Sequence, residues 1–119
     1  MGLFDIFNKK QKKKIYTPQE IVELARMHKP VSIYEDGHLL PEVDAAVNKI
    51  MHYDGISNVS TMLMLNNPTD MQNKMKEADV DTLLIFFKFL AIKASETSNN
   101  QSIGVVQQYL ISILQQKLQ

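Results

Sequence analysis

Residues 79–92 constrain the fold more than any other stretch of this chain. Asp79 offers a capping carboxylate, and behind it come Leu83, Leu84, Ile85, Phe86, Phe87, Phe89, Leu90 and Ile92. At about 100° per residue, these side chains cover nearly the whole circumference of a helix. A helix with no polar face has none to give to water, so other elements must wrap it. The run Val80 to Ile92 is shorter than the roughly 20 residues that cross a bilayer, and Asp81, Thr82 and Lys88 interrupt it. The expectation is therefore a buried core helix and no transmembrane span.

The wrapping elements are legible from their ends. Thr17-Pro18-Gln19-Glu20 is a capping box with proline in the first turn, and Ile21, Leu24, Ala25 and His28 then share a face until Pro30 stops the helix. Pro41 opens another helix, with Glu42 and Asp44 near its positive end, a stripe of Val43, Ala46, Val47 and Ile50, and Gly55 as the expected C-cap. Asn67-Pro68-Thr69-Asp70 starts a third, running to about Ala78 with a thin inner face of Met71, Met75 and Ala78. Ser102 is the expected cap of a last helix over 103–118, with Ile103, Val106, Leu110 and Ile113 as its seam.

Two segments are less decided. Asp36-Gly37 between short apolar arms predicts a small hairpin near 31–40. Residues 56–65 fit either a helix through Ile56, Val59 and Leu63 or a buried strand through Met62–Leu65, and helical neighbours favour the helix. The predicted fold is mainly all-α: a compact bundle of five or six short helices with a small β-hairpin. Residues 17–119 read as one helical domain, and residues 1–16 as a flexible basic arm.

Charge is uneven although the formal net is zero. Residues 1–14 carry Lys9, Lys10, Lys12, Lys13 and Lys14 against Asp5, for +4, and the remainder carries −4. Leu3, Phe4, Ile6 and Phe7 precede the lysines, the reverse of a secretory signal. The arm has three readings. It is a solvated tail; or Leu3, Phe4 and Phe7 enter an anionic membrane surface while the lysines meet headgroups; or the lysines contact phosphates. The acidic remainder disfavours a nucleic-acid partner. Myristoylation is unsupported, because Ile6 stands where Ser or Thr is required after Gly2.

The absence of cysteine removes disulfides and thiolate chemistry and suits a reducing, cytoplasmic setting, with peripheral membrane attachment through the arm as the variant. The sequence holds no nucleophile elbow, zincin motif or phosphate loop, and its four glycines are scattered. The expectation is no enzyme, no cofactor and no metal. The strongest polar group, Glu35, Asp36, His38, Glu42 and Asp44, admits a metal-dependent hydrolase, but it reads more simply as a turn followed by an acidic helix start.

Two features point to binding. Met62, Met64, Met71 and Met75 cluster mid-chain, as core filler before adaptable surface. On the last helix Val105, Tyr109 and Ile111 lie off the seam, so they are candidates for self-association as a homodimer. The first functional reading is a non-enzymatic protein-interaction module, such as an adaptor, inhibitor or immunity-like protein, that binds a protein partner or itself. A peripheral membrane protein and a small metal-dependent hydrolase using residues 35–44 are the alternatives.

Overall fold

The computed structural model describes residues 15–119. The readings made for Leu3, Phe4, Phe7, Lys9, Lys10, Lys12, Lys13 and Lys14 therefore lie outside the described residues. Those described form six helices and one two-stranded antiparallel sheet, 67% helical. In chain order these are α1 (Pro18–Met27), β1 (Tyr34–Glu35), β2 (His38–Leu39), α2 (Pro41–Ile50), α3 (Val59–Leu65), α4 (Pro68–Glu77), α5 (Val80–Ser95) and α6 (Gln101–Lys117).

α5 is the core helix. The Asp79 carboxylate accepts from Thr82 N at 2.9 Å, and every residue from Thr82 to Leu90 is buried. α1, α2 and α6 pack directly on it, while α3 and α4 pack on α6, and α4 also meets α2. Phe86 and Phe89 stack with centroids 6.3 Å apart, and Tyr53 meets Phe89 edge-on at 5.5 Å.

α1 begins on both bonds of the expected capping box, Glu20 N to Thr17 Oγ1 at 3.1 Å and Thr17 N to Glu20 Oε1 at 2.9 Å. Only Ile21 and Ala25 of its stripe are buried. Leu24 and His28 stay partly in solvent because α1 lies at the margin of the bundle. The chain takes hold one residue ahead of the helix cap: Tyr16 packs on the core, and its carbonyl accepts from Gln115 Nε2 at 2.7 Å.

The hairpin pairs Tyr34 with Leu39 and Glu35 with His38. Its turn places Asp36 at φ 52° and Gly37 at φ 80°, the two left-handed residues that a twisted two-residue hairpin loop needs. So short a ladder is marginal alone, and packing retains it. Ile33, beside it, is fully buried, and Leu40 N donates to Ile33 O at 2.9 Å.

α2 buries the expected stripe of Val43, Ala46, Val47 and Ile50. Gly55 is not its C-cap, contrary to expectation. The helix ends at Ile50 with Met51 extended, and Gly55 (φ 85°) belongs to the next turn, where Asp54 Oδ1 accepts from Ile56 N and Ser57 N at 2.8 Å each. Segment 56–65 is a helix from Val59, capped by Asn58, and Ile56 is left 90% exposed outside it. α4 opens on Asn67 as expected and buries Met71 and Met75. The last helix starts earlier than its sequence cap: Asn100 is the N-cap, without a side-chain bond, and Ser102 lies inside the first turn. Ile103, Leu110, Ile113 and Leu114 are its buried residues.

Candidate functional site

Asn66-Asn67 joins α3 to α4, and α6 packs against both. The Asn66 side chain fixes this corner by donating to Met62 O at 2.7 Å and accepting from His52 N at 2.8 Å. Between the three helices runs an apolar groove of about 250 Å³, lined chiefly by Met64, Met71, Met75, Val105, Val106 and Tyr109. Met64 at its edge is 70% exposed and Val105 69%, and Leu65 beside Met64 is 75% exposed. Met71 and Met75 are buried. The methionine cluster is thus filler on one side and surface on the other.

Of the self-association candidates, the groove joins Val105 and Tyr109, four residues apart on α6. Ile111 stands about 200° around the helix from Tyr109, half-buried against the core and away from the groove. The share of α3 and α4 in this surface is what sequence reasoning missed. Its one signal was the recurrence of methionine at 64, 71 and 75.

The polar residues of 35–44 do not converge. His38 and Asp44 line an open cleft of about 850 Å³ with Tyr34, Tyr53 and Lys93, whereas Glu42 lines a separate depression with Lys29 and Asp81. Asp36 sits in the hairpin turn, with Glu35 exposed before it. Among the described residues no three His, Cys, Asp or Glu side chains come together as a metal site.

Inside the cleft Lys93 is matched by its surroundings. Its Nζ lies 3.5 Å from Glu96 Oε1 and 5.2 Å from the Tyr34 ring centroid, and Tyr34 Oη donates to Glu96 Oε2 at 3.2 Å. Burial lowers the Lys93 pKa, but bonding to Tyr34 and the nearby tyrosine and Glu96 charges outweigh it, so the net shift is upward. Burial pushes the Tyr53 phenol up.

Lys88 is placed differently. It is only 5% exposed, on the central helix, and its Nζ donates to His28 O and, at 2.7 Å, to Pro30 O. These carbonyls belong to the connection after α1, which contains the cis Lys29–Pro30 peptide. His28 Nε2 is also bonded to Asp81 Oδ1, so α1's end is tied to the first turn of α5 as well. Burial lowers the Lys88 pKa, with no carboxylate among the causes.

No protein-family model, curated protein or solved structure matches this chain. No helix among the described residues is long and apolar enough to cross a membrane.

Proposed function

We propose that this chain is a non-enzymatic interaction module that receives an amphipathic helix in the groove between α3, α4 and α6. The helix comes from a protein partner or from a second copy of the chain. The supporting observation is the groove itself: exposed Met64 and Val105 rim a channel whose floor is the core's own Met71 and Met75. Burying apolar surface here releases roughly 25 cal/mol per Å². Unbranched methionine adapts its shape to the side chains that enter, and an apolar helix face is the common occupant of such a channel.

Site-specific photo-crosslinking in the native host tests the reading. A photoreactive residue at Val105 is expected to give one dominant adduct, which Met64→Glu abolishes and which the same probe at Lys49 does not give. Adduct mass separates a foreign partner from a second copy. Equal labelling from positions 105 and 49, or an adduct indifferent to Met64→Glu, overturns the reading.

A further inference from the structure

A second apolar groove lies on another side of the molecule, between α1 and α5. It encloses about 330 Å³, and Val22, Val31, Phe87, Ala91 and Ile92 supply its walls. This volume falls in the range of small-ligand sites. Lys88 lines it too, and the carbonyl of Pro30, which Lys88 Nζ reaches, directly precedes the lining residue Val31. From Lys88 the groove follows α5 to Ser95, about 10 Å at the helical rise.

The charge around this groove is unbalanced. Arg26 at the rim is neutralised by Glu23, 2.6 Å away. Lys93, the other shielded ammonium of α5, has Glu96. Lys88 has only two neutral carbonyls, and among the described residues no carboxylate bonds it. An ammonium out of water without a counter-charge is costly, and an anion brought into the same apolar space relieves that cost.

We infer that the α1–α5 groove binds a small amphiphile consisting of an apolar chain and one carboxylate, with the carboxylate at Lys88 and the chain lying along α5 between Val22 and Ile92. This site is separate from the helix-binding groove, and either can be present without the other.

The probes are octanoate, octanol and octylammonium, titrated into the ¹⁵N-labelled chain at neutral pH. The expected order is octanoate, then octanol about tenfold weaker, the scale of one charge-assisted hydrogen bond, then octylammonium weaker still. Amide shifts should centre on Val22, Val31, Ala91 and Ile92. Ala91→Leu fills the groove from an exposed position and should remove octanoate binding without altering melting. Lys88→Met should bring octanoate and octanol within about twofold of each other. The charge series is read on the native chain, so it decides the matter even if Lys88→Met does not fold. Octylammonium binding as tightly as octanoate, or octanoate binding that survives Ala91→Leu, overturns the inference.

Discussion

α5 and α6 are the two longest helices, and they divide the molecule's tasks between them. α5 is buried without a break from Thr82 to Leu90. α6 buries Ile103, Leu110, Ile113 and Leu114 and leaves Val105 69% exposed on another side. From Thr82 to Leu90 α5 is enclosed on all sides and serves chiefly to hold the fold together, while its later turns, from Ala91 onward, return to the surface. A helix enclosed on one side, as α6 is, holds the fold with that side and leaves the other open, which is the side the proposed groove uses. Substitutions on the two helices should therefore separate stability from binding.

The largest effect belongs to α5. Phe86→Ala empties a fully buried ring position and is expected to destabilise by about 3–5 kcal/mol, measured by urea unfolding. A loss near zero would show that α5 is not the packed centre. Leu110→Ala, on the inner side of α6, should come next at about 2–5 kcal/mol, because that side chain is fully buried too.

Smaller effects come from the carboxylates that hold loops and helix ends. Asp79→Ala removes the α5 cap and is expected to cost about 0.5–2 kcal/mol at neutral pH. Bonding to Thr82 holds the Asp79 carboxyl below its ordinary range, and bonding to Ser57 and Ile56 holds Asp54 at about 2. Both are depressed in the folded chain, so their stabilisation is complete above the unfolded carboxylate pKa of about 4. For Asp54 it is lost as pH falls from there through about 2. Asp54→Asn should accordingly flatten the fall of the urea midpoint over that interval and leave its slope above pH 5 unchanged. An unaltered acid limb would show that the Asp54 turn does not couple to folding.

The smallest stability effect is expected where the binding effect is greatest. Val105→Glu should change stability by no more than about 0.5 kcal/mol, as for other exposed substitutions, while eliminating the groove adduct formed from a photoreactive residue placed instead at the lining position Gln72. A large loss of stability would mean that Val105 belongs to the core and that the two helices do not differ as described.

Much of the fold was legible because its signals are local. A capping box, a proline in the first turn or an apolar stripe involves residues within one or two turns, and Thr17, Asn67 and Asp79 all act as their neighbours imply. The Asp36-Gly37 turn was less decided because its arms are short, yet its signal was local too, since its two left-handed residues are written side by side. Local signals failed where two of them competed. Asp54 bonds forward to Ile56 and Ser57, so Gly55 serves a turn instead of ending α2. At α6, Ser102 had the right chemistry for a cap, but the helix begins at Gln101.

By itself the amino-acid order determined the helical class, most helix starts and the identity of the central helix, because backbone hydrogen bonding and periodic burial act over a few residues. The tertiary structure alone decided which surfaces face one another. Met64 and Val105 rim one groove only because α6 packs against both α3 and α4. Lys88 reaches carbonyls 60 and 58 residues earlier in the chain. Groove shape and the pairing of a buried charge depend on contacts between distant segments, and chain packing forms those contacts without leaving a local pattern to read.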